Sequence, residues 1–238
     1  MSDDAVQREL EELRARVARR AEFVAILAHD VRTPLAAIVG SAQTLQQRRG
    51  ELTQEQREQL LAVIGREADR LAALLDEAFD TARIDTDTFT YVFAEIDVAE
   101  LVRDAVAAAN ATGKGVVVVE IQPGLPPVNG DGGRLRQVLT NLIDNAVKFS
   151  PPEGQVEVAA AAANGRIGVS VTDRGEGIAP DDQELIFEQF GRVKGTGRPG
   201  SGLGLYISRA IAEAHGGTLE VSSAPGDGAT FTLSLPTT

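Results

Sequence analysis

The stretch AHDVRTPL, at residues 28–35, places a histidine and an aspartate side by side within one long amphipathic pattern. An imidazole is the side chain best suited to proton or group transfer near neutral pH. Val24 and Val31 occupy a positions of a heptad repeat and Leu27 a d position, which puts His29 at position f, away from the apolar seam. A structural histidine is more often packed or used as a cap, so this outward placement favours a chemical role.

A second polar group lies on a strongly amphipathic segment, NLIDNAVKF, at residues 141–149. Asn141, Asn145 and Lys148 follow one another at spacings of four and three residues and therefore share one face of a helix. Asparagine oxygens can ligate Mg²⁺ without adding charge, and a lysine ammonium can hold a phosphate. A merely solvated polar face is an equally good interpretation of this segment taken alone.

The glycine-rich stretch DRGEGIAP, at residues 173–180, comes directly after a predicted strand. Gly175 and Gly177 allow the backbone to approach a ligand closely, and Asp173 can accept a hydrogen bond from an exocyclic amine. A tight turn is the alternative interpretation, because this motif alone is weak.

Another glycine-rich stretch, GRPGSGLGL at residues 197–205, opens a predicted helix. Backbone N–H groups and the helix dipole at such an end favour an anion such as a triphosphate. The stretch is neither a Walker A loop nor a Rossmann fingerprint. Residues 193–199 are rich in glycine and contain Lys194 and Arg198, a composition typical of a mobile lid over a nucleotide.

Two long helices must position the histidine. Apolar residues recur at alternating steps of four and three from Val6 to Val31, and the polar stretch 46–53 ends the first helix. Thr53 and Gln56 form a predicted capping box that starts a second helix with its own apolar face. One hairpin cannot bury both stripes, so we predict that two copies form a four-helix bundle. An intramolecular coiled coil used as a spacer is the alternative.

After about residue 85 the pattern changes to mixed strands and helices. Predicted strands cover residues 89–93, 116–121, 156–160, 167–172, 218–222 and 230–235, and predicted helices cover 98–110, 134–149 and 203–214. This order lacks strict β-α-β alternation and therefore predicts an α+β sandwich, with helices on one face of a mixed sheet. The stretch PGLPPVNGD, at residues 123–131, is predicted to be a loop.

Composition narrows the range of functions. The chain has 238 residues, 43% of them hydrophobic, which suffices for a packed core. A net charge of −12 argues against a general affinity for nucleic acid or an anionic membrane surface. The absence of cysteine excludes thiolate metal sites and cysteine nucleophiles. No apolar run approaches the roughly 20 residues needed to span a bilayer, so we expect a cytoplasmic chain without direct membrane insertion.

Taken in order, these motifs resemble those of the sensor histidine kinases of two-component signalling. The stretch FVAILAHDVRTPLAAI resembles the H-box, NLIDNAVKFS the N-box, DRGEGI the G1 box, FEQFGR the F-box, GSGLGLYIS the G2 box and GDGATFTLSLP the last glycine box. The resemblance covers residues 21–236. It implies a dimerisation and phosphotransfer hairpin over 21–85 and an ATP-binding domain of the GHKL (Bergerat) type over 86–238. The heptad pattern predicts a coiled-coil signalling helix over 1–20.

The resemblance also implies roles for individual residues. His29 accepts the phosphoryl group, Asp30 is the general base that orients and activates its ring, and Thr33 orients water for dephosphorylation of a partner. Asn145 coordinates Mg²⁺ and Asp173 binds the adenine amino group. The other residues implied at the nucleotide or its lid are Asn141, Lys148, Phe149, Gly175, Gly177, Ile178, Phe187, Phe190, Arg192, Lys194, Gly200, Gly202, Leu203, Gly204, Leu205 and Thr230.

The implied ligands are ATP and Mg²⁺, and the implied partners are a second copy of the chain and the receiver domain of a response regulator. The coiled coil near the N-terminus favours an input segment upstream in a longer parent protein, anchored in a membrane or not.

Pro34 removes the helical partner of the Asp30 carbonyl, so we hypothesise that a bend at this point moves His29 in and out of reach. His215, before a Gly-Gly stop, is expected to be structural, at a helix end where a cation suits the dipole.

Three rival functions remain. ATPases of the gyrase, Hsp90 and MutL type place a glutamate base one turn before the metal-binding asparagine, where this chain has Asn141, so direct hydrolysis is disfavoured. The others are a degenerate kinase that acts as a scaffold and a module that acts mainly as a phosphatase of its partner.

Departures from the family pattern are few: Ala28 and Asp30 replace the common serine and glutamate, and Phe149 replaces a frequent tyrosine.

Overall fold

A computed structural model describes residues 3–113, 115–151, 153–191 and 200–238, with the side chains of 3–6, 8–20 and 22 left out of the description. The chain divides into two compact units, Met1–Asp80 and Thr81–Thr238. The first is helical and the second is a mixed α and β unit, as the sequence predicted.

Two long helices make up the first unit. Helix α1 spans Asp3–Gln47 and helix α2 spans Gln54–Asp85, with the last residues of α2 belonging to the second unit. The predicted capping box is confirmed: the Thr53 N–H donates to Oε1 of Gln56 at 2.9 Å, and the Gln56 N–H donates to Oγ1 of Thr53 at 3.2 Å. These two reciprocal bonds satisfy donors that the first turn of a helix otherwise leaves unpaired.

Helix α2 has two apolar stripes, and a single hairpin covers only one of them. Along the covered stripe, Leu74 and Ala78 are buried. The second stripe is exposed and runs at heptad-like spacings through Leu61, Ala68, Ala72, Leu75 and Phe79. Helix α1 exposes large apolar side chains as well, at Val24, Leu35 and Val39. We call these eight residues the outer stripe.

The expectation of a chain without direct membrane insertion is not confirmed for α1. The part from Phe23 to Gln47 is 25 residues long, contains an 18-residue window with a mean hydropathy of 1.4, and could cross a membrane by length and composition alone. His29, Asp30 and Arg32 interrupt its apolar runs, which is why no continuous run stands out. Only 6% of that window is buried, and core helices of soluble proteins pass the same test.

The second unit is built around a five-stranded sheet. Its helices are α3 (Val98–Ala111), α4 (Gly132–Phe149) and α5 (Gly204–Ala214), and its strands are β1 (Ala94–Ile96), β2 (Val116–Ile121), β3 (Val128–Gly130), β4 (Gln155–Ala163), β5 (Arg166–Asp173), β6 (Thr218–Ser223) and β7 (Ala229–Pro236). The sheet order is β2-β4-β5-β7-β6, with β2 parallel to β4 and the other pairs antiparallel. Single 3₁₀ turns lie at Pro180–Asp182 and Leu185–Phe187.

One face of this sheet carries the helices. Alternate residues of β5 and β7 are buried, which is the pattern of a sheet with one covered face. Both α4 and α5 contribute several fully buried side chains to that layer. The predicted sandwich is therefore confirmed, as are the three predicted helices and five of the six predicted strands, with ends that differ by up to three residues.

The predicted strand at residues 89–93 is wrong. The neighbouring strand β1 lies just after it and pairs antiparallel with β3, which falls within the stretch predicted to be a loop. Phe89, Tyr91 and Phe93 alternate because their rings pack on one side: the Phe89 and Tyr91 centroids lie 4.8 Å apart, and those of Tyr91 and Phe93 lie 6.1 Å apart. Ring packing on one side thus imitates the period of a strand.

Asp131 fixes the start of α4. Its Oδ1 accepts the N–H of Arg134 at 3.1 Å, as an N-cap does, and its Oδ2 accepts the N–H of Val92 at 2.9 Å. Burial by itself raises the pKa of this carboxyl, but the backbone donors of Val92, Arg134 and Gly133 outweigh it, and the pKa lies below the ordinary value of 3.8. The charged form of Asp131 therefore stabilises the folded state.

Replacing Asp131 with alanine is expected to lower the free energy of unfolding by about 1–2 kcal/mol at neutral pH, because α4 loses its cap. Since the folded-state pKa is depressed, this stabilisation is complete above the ordinary value of 3.8 and is lost as the pH falls through the lower folded value. Urea unfolding of both proteins over a series of pH values measures the difference. A gap that stays constant into the acid range would contradict the assignment.

Candidate functional site

His29 lies on α1 with its ring directed to solvent, 77% of the side chain being exposed. Its Nδ1 lies 3.1 Å from Oδ1 of Asp30, whose side chain is half-buried. A ring that uses Nδ1–H in this contact presents the lone pair of Nε2 outward. Thr33 is exposed one helical turn later, on the same face as His29.

Pro34 is buried, and α1 continues through it without interruption. Proline has no N–H for the carbonyl four residues earlier, which belongs to Asp30. The backbone next to the histidine therefore lacks one helical bond. The hypothesis that a bend here moves His29 stays a prediction.

Asn141, Asn145 and Gly204, all candidates for the nucleotide site, lie together where α4 faces the start of α5. Asn141 donates through Nδ2 to Oγ of Ser208 at 2.9 Å, and Asn145 donates through Nδ2 to Oδ1 of Asn141 at 3.3 Å. The two asparagines thus share a face, as their spacing predicted. A Cβ atom at Gly204 would overlap Oδ1 of Asn141 and lie 2.9 Å from its Cγ. Any side chain at this position would displace the Asn141 amide from its place between α4 and α5.

Lys148 lies beside the same helix start. A Cβ atom at Gly200 would stand 2.9 Å from Nζ of Lys148, so the backbone at Gly200 passes close to the ammonium. The ammonium also sits over the Phe149 ring, 4.7 Å from its centroid. A positive charge is therefore held near the N-terminus of α5, where the backbone dipole also favours an anion.

Asp173 ends β5 and is buried. Its Oδ1 accepts the N–H of Gly175 at 2.8 Å and that of Ala229 at 3.3 Å. These donors fix the carboxylate at the sheet end, next to the carbonyl of Phe149, against which Gly175 packs without room for a Cβ atom. Phe149 thus joins this group of residues to Lys148 and the asparagines of α4.

Gly177 and its neighbours close this end of the site. Gly177 has a φ of +73° and its backbone packs against the carbonyl of Ala224, so a side chain is excluded twice over. The Ile178 N–H donates to Oγ of Ser223 at 2.8 Å. Thr230 faces Thr172 across the β5–β7 pair, with 3.0 Å between their Oγ1 atoms.

Phe187 and Phe190 stand on the near side of the predicted lid. Phe187 is buried with its ring edge-on to Phe231, at 6.3 Å between centroids. The Phe190 N–H donates to the carbonyl of Gly202 at 3.0 Å and so joins the chain on either side of residues 192–199. Arg192 and Lys194 lie outside the described residues. Beyond them, Leu203 is fully buried and Leu205 half-buried in the first turns of α5.

The donor set fits a nucleotide with Mg²⁺. Across the described ranges, no group of three His, Cys, Asp or Glu side chains comes together that could hold a metal ion by itself. Magnesium is commonly bound by one or two protein oxygens together with substrate phosphates. Asn145 engages Asn141 through its nitrogen, which leaves its side-chain oxygen as the ligand atom to offer.

Ser208 was not among the residues that sequence reasoning selected. It is buried, 2% exposed, and accepts the hydrogen bond that orients Asn141. The available signal was a serine on the buried face of a short apolar helix, four residues after Gly204. A buried hydroxyl in such a helix needs a partner, and the facing asparagine supplies it.

Comparison with known proteins agrees with both units. A family model described as "His Kinase A (phospho-acceptor) domain" matches residues 19–87, and one described as "Histidine kinase-, DNA gyrase B-, and HSP90-like ATPase" matches residues 130–238. The solved structure of the mycobacterial sensor histidine kinase MprB is 32% identical, with a TM-score of 0.55, over 61% of this chain and 98% of that one. The chain belongs to the histidine kinase family.

Two further relatives extend over both units of this histidine kinase. The structure of full-length ShkA in complex with AMPPNP is 35% identical with a TM-score of 0.68, covering 91% of this chain and 46% of that one. The sensor-like histidine kinase SenX3 of Mycobacterium tuberculosis is 36% identical over 232 residues, which are 92% of this chain and 54% of SenX3. The chain spans about half the length of that relative.

The histidine kinase fold predicts a sharp effect of Gly204→Ala. The added Cβ overlaps the Asn141 side chain. We expect affinity for a nucleotide to fall about ten- to hundredfold, which corresponds to the free energy that an extra methyl group usually costs in a well-packed site. Calorimetric titration of the chain with AMPPNP and Mg²⁺ measures this. Gly132→Ala is the matched control, because Gly132 also begins a helix and a Cβ there has its nearest neighbour at 3.7 Å. Equal affinities in the two variants would contradict the assignment.

Proposed function

We propose that this chain is the core of a protein-histidine kinase, which binds ATP and Mg²⁺ in its second unit and phosphorylates His29. The single observation that carries the proposal is the outward ring of His29 with Nδ1 on Asp30, within residues matched by the phospho-acceptor family. The second unit supplies the cradle of asparagines, lysine and glycines that a triphosphate requires.

In the proposed reaction, Nε2 of His29 attacks the γ-phosphorus of ATP in line with the leaving oxygen. The Nε2–P bond forms, the bond from phosphorus to the bridging oxygen breaks, and its electron pair leaves on ADP. Asp30 holds the proton on Nδ1 while the ring acquires positive charge, which raises the basicity of Nε2. Although aspartate is shorter than the glutamate common in the family, 3.1 Å to Nδ1 is within hydrogen-bonding reach.

The residues of the second unit bind and orient the nucleotide in this proposal. Asp173 recognises the adenine amino group, while Asn141, Lys148 and the start of α5 hold the phosphates. Asn145 ligates Mg²⁺, which neutralises phosphate charge when bound. Because phosphoryl transfer depends on positioning and charge neutralisation, these contacts supply most of the rate enhancement.

Direct ATP hydrolysis is the weaker alternative. An ATPase of this fold requires a carboxylate one turn before the metal ligand, to activate water. That position is Asn141, and its amide already engages Ser208 and Asn145. An amide cannot serve as a general base.

Thr33 supports an additional phosphatase activity. It is exposed one turn after His29, where its hydroxyl can orient a water molecule toward a phosphorylated partner. The partner of both reactions is proposed to be a receiver domain of a response regulator, which accepts the phosphoryl group on an aspartate. Both activities are proposed to take place in the cytoplasm, in a parent protein anchored in a membrane or not.

A second copy of the chain is proposed to cover the outer stripe. The apolar side chains there are largely exposed, with Val24 and Phe79 each at 62%. Exposed apolar side chains on two adjacent helices, at heptad-like spacings along α2, favour a four-helix bundle with a second hairpin. Burial of the apolar side chains of α1 in such a bundle would also explain why this helix is so apolar, without any contact with a membrane.

Incubation with γ-labelled ATP and Mg²⁺ tests the proposed reaction. We expect acid-labile, alkali-stable label on the wild-type chain, because that stability is characteristic of phosphohistidine. His29→Gln loses all label because it lacks the acceptor, although it still binds nucleotide. Asn145→Ala loses label because Mg²⁺ has no protein ligand. Label that persists in His29→Gln would refute His29 as the acceptor. Bound ATP without label in the wild type would move the assignment to a phosphatase or a scaffold.

Light scattering tests the proposed dimer. Leu75→Glu places a charge on the outer stripe, and we expect the molar mass to fall from that of a dimer to that of a monomer, since an unpaired charge cannot be buried without a large cost. Gln59→Glu is the matched control, because it adds the same charge at an exposed polar position of the same helix. A wild-type chain that is monomeric at micromolar concentration would overturn the proposal.

A further inference from the structure

His215 lies at the far end of the α4–α5 pair and is 5% exposed. Two aromatic rings cover it: the Phe93 centroid lies 4.9 Å away, and the Tyr91 centroid lies 5.4 Å away in an edge-to-face arrangement. Gly130 makes room for the ring, because a Cβ atom there would stand 2.8 Å from Cδ2 of His215. The imidazole is thus enclosed at the junction of three chain segments.

Both ring nitrogens of His215 are engaged. Nε2 accepts the N–H of Asp131 at 2.8 Å, and Nδ1 lies 2.7 Å from the carbonyl of Ile211. An N–H can donate only to an unprotonated nitrogen, so the ring is neutral with its proton on Nδ1. These contacts agree with the structural role expected at the helix end, and they favour a neutral ring over the expected cation.

This pair of bonds fixes how α4 and α5 lie against each other. The two helices touch at one end through Asn141 and Ser208, and at the other through Asp131 and His215. Ten residues of helix separate Asp131 from Asn141, which is about 15 Å. Two polar contacts so far apart determine the relative rotation and register of the helices, which apolar packing between them leaves less defined.

We infer that His215 is a positioning residue for nucleotide binding, which acts through α4 by holding Asp131 and thereby the register at which Asn141 meets Gly204. This inference rests on the proposed nucleotide site. The register matters because that meeting has no spare room: Gly204 has no side chain, and the Asn141 amide fills the space beside it.

The segment that follows α2 also contacts Asp131 and His215. The Val92 N–H donates to Asp131, and the rings of Tyr91 and Phe93 lie on His215. A buried hydrogen bond between α5 and the start of α4 is therefore shielded from water by residues 91–93. Shielding strengthens such a bond and makes its loss more costly.

His215→Phe is the decisive variant, since a phenyl ring keeps the aromatic packing and removes both hydrogen bonds. The titration uses the full chain with His29→Gln as background, so that no turnover occurs, and AMPPNP with Mg²⁺ as the probe. We expect the dissociation constant to rise about tenfold, as the loss of two buried hydrogen bonds implies. Equal affinities with and without His215→Phe would overturn the inference.

A second variant, which destabilises the fold to a similar extent, distinguishes a positioning role of His215 from a purely structural one. Val117→Ala removes buried methyl groups from β2, which packs under α3, so it lowers stability away from the α4–α5 pair. Urea unfolding measures the loss of unfolding free energy in His215→Phe and in Val117→Ala, so that the two variants are compared at similar stability. The inference requires that Val117→Ala keep the background affinity; an equal loss there would reduce His215 to a general stabiliser. If His215→Phe does not fold, His215→Gln is judged by the same criteria.

The protonation state provides a second and independent readout. The chain has only two histidines, so nitrogen NMR of the His29→Gln background reports the His215 ring alone. We expect a protonated Nδ1 and an unprotonated Nε2 at neutral pH. A protonated Nε2 would refute the inference. Failure of the background chain itself to bind AMPPNP would instead overturn the proposed nucleotide site.

Discussion

The close approach of α5 to α4 at Gly204 is the constraint on which the rest of the nucleotide site depends. Asn141 occupies the space that any other side chain at Gly204 would take, and Ser208 holds its amide in that orientation. Asn145 then depends on Asn141 for its own orientation. A chain of amide and hydroxyl contacts thus orders Asn145, the proposed metal ligand, without a negative charge beside the proposed phosphate site, where a carboxylate would repel a triphosphate.

Much of this arrangement could be predicted from the sequence, because it depends on local spacing. The shared face of Asn141 and Asn145 follows from helical periodicity, and the capping box at Thr53 follows from two residue types three apart. The contacts that were missed are long-range. The pairing of β1 with β3, the partner of Ser208 and the bond from Asp131 to His215 join segments up to 84 residues apart, and no local pattern specifies which distant segments meet.

Misleading local patterns have physical causes as well. Phe89, Tyr91 and Phe93 alternate because one side of the segment packs its rings together, which produces the period of a strand without a ladder. Helix α1 is apolar enough to resemble a membrane span because it carries apolar residues on two faces, one inside the hairpin and one on the outer stripe. In both cases the pattern identifies an apolar face of the chain, but it does not identify what packs against that face.

The two histidines show how environment decides between chemistry and structure. Both rings engage Nδ1 with an oxygen, of Asp30 in one case and of the Ile211 carbonyl in the other, and both therefore leave Nε2 as the basic nitrogen. At His29 that nitrogen faces solvent, as the proposed attack on a phosphorus requires. At His215 it is buried and already accepts the Asp131 N–H. The same tautomer thus leaves an accessible nitrogen at one site and a fixed acceptor at the other, which is why we propose His29 as the phosphoryl acceptor.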